Sequence, residues 1–294
     1  MTPLERRYRW LLLAYPRAYR AAHGWELLGV LVDCAAPGRT VPEFREAGGL
    51  VAGGLRERVR HAAGGNAWWD GLHLGVTAVL ALHLATVLPY AGSIPLWVAL
   101  SGFALLAVLR GYVRLALPVV LLTGMKATAI ASGWQPVDVT LLPVYPSFLA
   151  REPLFGTSGP VVVALGYGLA WFGLLALALR GGTVRTRSWC WWVAAPLAAW
   201  AGPGWMPEGT PYPIGLSRLV LELALLCLGV WAARTARDPR WAVAAACYLT
   251  AVSLRLGEHL TELTHQHLGY WGLLAFLTVA AAFVPFGYRR RVPN

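Results

Sequence analysis

The hydrophobic pattern of the chain changes once, near residue 66. Before that point apolar residues recur every three or four positions, the spacing of helices with one apolar face. Beyond it they run in blocks about as long as a bilayer core is thick. The first region predicts three short amphipathic helices. One carries Leu4, Tyr8, Leu11, Leu12 and Tyr15 on a face. A second opens at Pro16, carries Tyr19, His23, Leu27, Val30, Leu31 and Cys34, and ends at Pro37-Gly38. The third opens with a capping box read at Thr40-Val41-Pro42-Glu43, carries Phe44, Ala47, Val51, Leu55 and Val59, and closes at Gly64-Gly65. Three such stripes can bury one another in a small domain. They can equally lie on a membrane surface, with Arg56, Arg58 and Arg60 toward anionic headgroups.

From Ala67 onward the blocks predict transmembrane helices at about 68–90, 94–110, 114–134, 159–180, 189–206, 215–234, 241–256 and 270–288. The expected fold is all-α: a polytopic membrane bundle of about eight transmembrane helices, residues 67–294, behind a small three-helix cytoplasmic domain, residues 1–66.

Composition supports lipid as the solvent. The 294 residues are 57% hydrophobic and 13% charged, whereas a soluble domain carries about a quarter charged residues. The net charge of +11 would suggest nucleic acid in a soluble protein. Here the arginines stand mainly between apolar blocks, so they read as orientation signals, and no direct nucleic-acid contact is expected. Starting inside, the even-numbered helices end at Arg110 and Arg114, at Arg180, Arg185 and Arg187, at Arg234, Arg237 and Arg240, and at Arg289, Arg290 and Arg291. The opposite loops hold only Arg151. This alternation predicts a multi-pass cell-membrane protein with both termini cytoplasmic. Tryptophans at helix ends, such as Trp68, Trp134, Trp205 and Trp271, suit the bilayer interfaces. No secretory signal is expected, because the first apolar stretch, Trp10 to Tyr15, is short and meets Pro16-Arg17.

Candidate chemistry comes from charges inside the blocks, which are expensive in lipid. Lys126 falls in the third predicted span, Arg218 and Glu222 in the sixth, and Arg255 at the end of the seventh. Two readings are open. In one, they form an outward-facing polar site for an anion or a lipid headgroup, with Glu222 orienting Arg218 or relaying a proton. In the other, Arg218 and Glu222 pair along one helix while Lys126 and Arg255 snorkel to the interface. Glu258, His259, Glu262, His265 and His267 follow in a run that could hold a divalent metal or could be a plain polar loop. His73 and His83 read as helix–helix hydrogen-bonding groups. Cys34, Cys190, Cys227 and Cys247 show neither a disulfide framework nor zinc spacing. There is no Walker A motif, no GxSxG elbow and no arginine ladder.

The string Leu11-Leu12-Leu13-Ala14-Tyr15-Pro16-Arg17-Ala18-Tyr19-Arg20, with His23-Gly24, Glu26-Leu27 and Leu31-Val32-Asp33 behind it, resembles the helical prefix found ahead of many bacterial membrane proteins. Such prefixes accompany signalling modules associated with PadR-type regulators, and some permeases. The whole resembles an actinobacterial integral membrane protein. The resemblance implies that residues 1–66 dock a cytoplasmic regulator, and it supplies no catalytic residues. The expected function is therefore regulatory or signalling and not enzymatic. A transporter component, or a membrane-embedded enzyme or anion-binding protein with an outer-leaflet site, stands as the alternative.

Overall fold

The computed structural model describes residues 2–36, 38–134, 144–148, 150, 152–156, 158–182, 184–188, 196–199, 205–206 and 213–286. The regular structure among these residues is helical. Contacts divide the chain into two compact units. The first is Met1–Gly65 together with Arg234–Asp238, and the second is Asn66–Ala233 with Pro239–Asn294.

The first unit holds α1 (Pro3–Leu12), α2 (Arg17–Asp33) and α3 (Phe44–Ala62). Thr2 and Glu5 form a capping box at the start of α1, satisfying two orphan amides at once. Leu4, Tyr8 and Leu12 of α1 and Leu28 of α2 are buried together, with Leu27, Leu31, Val32 and Leu50 packed around them. Two expectations are corrected here. The capping box of α3 is made by Glu43 and Glu46, not by Thr40; the Thr40 carbonyl accepts from Arg7 Nη1 at 3.0 Å instead. The face of α3 is also turned. Phe44 is 94% exposed, and Val51 and Leu55 are exposed with it. The inward side carries small residues. A Cβ on Gly54 would stand 2.7 Å from Ala14 Cβ, and one on Gly53 would stand 2.6 Å from the Tyr15 hydroxyl. Close approach, not apolar bulk, selects that face. Arg58 turns toward α1, donating to the carbonyls of Leu13 and Ala14 beyond its C-terminus.

The second unit holds α4 (Ala67–Val87), α5 (Pro95–Leu109), α6 (Val113–Ser132), α7 (Pro160–Arg180), α8 (Leu216–Ala236, whose last turn joins the first unit), α9 (Arg240–Glu258) and α10 (His265–Phe283). Their positions match seven of the predicted blocks to within a few residues, except that α10 begins and ends five earlier. The predicted span at 189–206 lies largely outside the described residues. Among the described residues, five helices are long and apolar enough to cross a membrane: Ala67–Tyr90 (α4 with a 3-10 turn), α6, α7, α8 and α10. At 15 residues α5 is shorter, about 22 Å against a core of about 30 Å. The apolar pattern of α9 is broken by Arg240, Arg255 and Glu258.

Outward faces of the helices carry Phe103, Leu122, Leu165, Phe172, Val220, Leu228 and Phe276, all exposed. So much apolar surface suits lipid rather than water. Inside, α4 packs most closely on α9, and α6 on α7. Gly71 and Gly75 make the first contact possible. A Cβ on Gly71 would stand 2.7 Å from the Arg240 carbonyl, and one on Gly75 would stand 2.6 Å from Cys247 Cβ. This is the small-xxx-small seam by which helices approach in lipid, and it sets α4 and α9 side by side, running in the same direction.

Candidate functional site

Two polar clusters are built into the second unit, one at each end of the bundle. The first starts from Asp70, in the opening turn of α4, where a carboxylate complements the helix dipole. Asn66 caps that turn, its Oδ1 accepting from the amides of Trp68 and Trp69. Two arginines close on Asp70. Arg187 Nη2 donates to Oδ1 at 2.7 Å, and Arg240 Nη1 donates to Oδ2 at 2.6 Å. Arg240 is 1% exposed. Arg187 also donates from Nε to His73 Nδ1 at 3.1 Å, and its amide donates to the Leu109 carbonyl at 2.7 Å. Since His73 Nδ1 accepts, its proton sits on Nε2, which donates to the Val108 carbonyl at 2.9 Å. One cluster thus ties together the start of α4, the end of α5, the segment after α7 and the start of α9. A half-buried carboxylate held between two guanidiniums, one of them fully buried, is a clamp: each charge meets an opposite one, as removal from water requires.

The second cluster starts from Glu222 of α8, which is 6% exposed. Arg218 Nε donates to its Oε1 at 2.8 Å, as the one-turn spacing allows. Tyr248 of α9 donates to the same oxygen, and Tyr270 of α10 donates to the other. Glu222 therefore joins three helices. Around it Met206, Ile214, Val252, Leu256 and Leu274 form an apolar core.

The other sequence candidates take separate surroundings. Lys126 is 2% exposed, and its ammonium lies 5.6 Å from the centre of the Trp97 ring, a cation–π contact. Arg255 is half-buried in the last turn of α9. His83 stacks on Tyr167 with ring centres 4.0 Å apart, and Tyr90 donates to the Glu152 carbonyl at 2.6 Å. Lys126, Arg218, Glu222 and Arg255 all fall in the half of the bundle away from Asp70.

The Glu/His run disperses. Glu258 accepts from the Gly159 amide at the start of α7. His259 stands 3.7 Å from Glu262. His265 is exposed at the start of α10. His267 is buried and completes a capping box with Thr264. Among the described residues, no three His, Cys, Asp or Glu side chains gather in a way that could hold a metal ion.

The described part of the segment before α7 packs back on the α4–α5 turn. Ser147 donates its amide to the Pro89 carbonyl at 2.8 Å and accepts from the Gly92 amide. Arg151 lies outside the described residues. Sequence reasoning missed the Asp70 clamp, because Arg187 and Arg240 served there only as orientation signals. The available signal was an acid in the first turn of an apolar helix, at the same end as the arginine-rich loops. No protein-family model matches the chain, and neither a curated protein nor a solved structure is similar to it.

Proposed function

We propose that this is a non-enzymatic, multi-pass protein of the cell membrane with a regulatory or signalling role. In this reading residues 1–66 form a cytoplasmic domain that docks a soluble partner, and the helices sense or anchor. An even number of crossings, eight, puts both termini in the cytoplasm. Several features support that topology. The end of the bundle that holds the Asp70 clamp also holds Arg110, Arg114, Arg180 and Arg185, the arginine excess of a cytoplasmic face. The chain stands at that end at Arg187 and packs against the opposite end by Met206 and Ile214, as an eighth crossing requires.

What carries the regulatory reading is the wiring between the two units. The first unit comprises residues 1–65 and 234–238. Its chain enters the second unit after Gly65 and again after Asp238. Asp70 follows the first crossing within a turn of helix, and Arg240 follows the second by two residues. These two side chains are the ones that bind each other at 2.6 Å. A partner that shifts the first unit therefore acts on both chain segments leading to the clamp. The partner is a soluble protein, such as the transcriptional regulators that the prefix resemblance implies.

The test is crosslinking of the full-length protein in its native membranes, beside a Trp25→Ser variant. Trp25 is 75% exposed, with the Arg9 guanidinium 4.7 Å from its ring centre, so its loss should leave the fold in place. A soluble partner should copurify with the wild type several-fold better than with the variant. Added to reconstituted protein, that partner should alter hydrogen exchange over Asn66–His73. Absence of any prefix-dependent partner contradicts the reading, as does a bound partner that leaves this exchange unchanged.

A further inference from the structure

Three large apolar side chains of α3 are exposed rather than packed into the unit that the helix helps to build. Phe44 is 94% exposed, Leu55 47% and Val51 37%. At about 100° per residue the three share one narrow arc of the helix. Arg45 and Arg56, both exposed, stand on the adjoining flank. The packed side, with Ala47, Leu50, Gly53 and Gly54, faces elsewhere. An apolar stripe edged by arginine is the pattern of a helix that lies in a lipid interface. Chain connection gives that stripe a neighbour. Only residues 63–66 separate α3 from α4, a reach of roughly 17 Å when fully extended. The helix α4 with its 3-10 turn, Ala67–Tyr90, is long and apolar enough to cross a membrane. The end of α3 therefore stays close to the surface that α4 enters. Charge agrees: residues 1–66 hold ten arginines against six acids, complementary to an anionic leaflet.

We propose that the Phe44–Val51–Leu55 face of α3 lies in the bilayer interface, with Arg45 and Arg56 on acidic phospholipid headgroups. This rests on the reading above that α4 enters the membrane from the cytoplasmic side. The test uses the full chain with its four cysteines replaced by serine and a polarity-sensitive fluorophore at one new cysteine. The label sites are Val51→Cys, Ala22→Cys on the exposed side of α2, and Phe172→Cys on the outward face of α7. Each protein is reconstituted in phosphatidylcholine nanodiscs, with or without phosphatidylglycerol, and probed with a lipid-borne quencher. With phosphatidylglycerol the Val51 label should shift to the blue and be quenched, while the Ala22 label stays aqueous. Both effects should be lost in phosphatidylcholine alone and in an Arg45→Gln, Arg56→Gln background. An aqueous Val51 label beside a quenched Phe172 label overturns the proposal and leaves the membrane reading standing. Equal quenching in both lipids overturns the assignment to acidic headgroups. A Val51 label that is shielded from water yet unreached by the lipid quencher means that protein covers the face, and overturns it too. If the Phe172 label also escapes quenching, the membrane reading fails together with the proposal.

Discussion

At the residue scale, stability turns on a few buried charges and on the groups that answer them. The one-turn spacing of Arg218 and Glu222 made their pairing legible in the sequence. The donors Tyr248 and Tyr270 were not legible, because spacing along one helix says nothing about which neighbour crosses it. The same limit hid the clamp, whose arginines lie 117 and 170 positions from Asp70. Removing one partner of a buried pair costs more than the pair contributes, because it leaves a charge desolvated. Asp70→Ala should therefore destabilise the bundle by about 3–5 kcal/mol, read as earlier unfolding in denaturing detergent. The double variant with Arg240→Met should recover part of that loss; a double variant worse than the single would refute the clamp. Tyr270→Phe should cost about 1.5–3 kcal/mol, the range for a hydrogen bond to a charged group. In the first unit, burial first and the Glu46 carboxylate second push the Tyr8 hydroxyl up to about 12 from 10.0. Its folded-state pKa is raised, so folding favours the neutral phenol. That stability is complete below pH 10 and is lost as pH rises toward 12. Tyr8→Phe should remove this part of the alkaline unfolding, followed by circular dichroism; an unchanged profile would exclude Tyr8 as its source.

At the element scale, long apolar blocks located the helices well, since length and uniform hydropathy are strong signals. The faces of short helices were less legible. The stripe of α3 pointed outward because glycines, which carry no hydropathy signal, decide where it meets the α1–α2 turn. The same kind of residue decides how α4 meets α9. Gly75→Leu would force a side chain against Cys247, where even a Cβ stands at 2.6 Å. It should cost about 1–3 kcal/mol as an overpacking change and separate the Asp70–Arg240 pair. A disulfide-trapping or spin-label distance between α4 and α9 should lengthen in the variant. An unchanged distance and melting point would mean that the seam is not tight. Gly102, beside which a Cβ would meet nothing within 4 Å, is the control, and Gly102→Leu should be tolerated.

At the scale of the whole molecule, two arginines of the alternation, Arg187 and Arg240, converge with Asp70, Val108 and Leu109 at one end of the second unit. The division into two units was legible as a change of hydrophobic period. The return of residues 234–238 to the first unit was not, because nothing in a short basic turn announces its tertiary partners. The most direct test labels single cysteines from either side of intact cells with a membrane-impermeant maleimide. Sites at Ala22, Gly111 and Arg185 should react only after the inner face is opened. Sites at Ser93 and His265 should react from outside without permeabilisation. Labelling of Gly111 and Ser93 from the same side would contradict the topology and, with it, the coupling built on it.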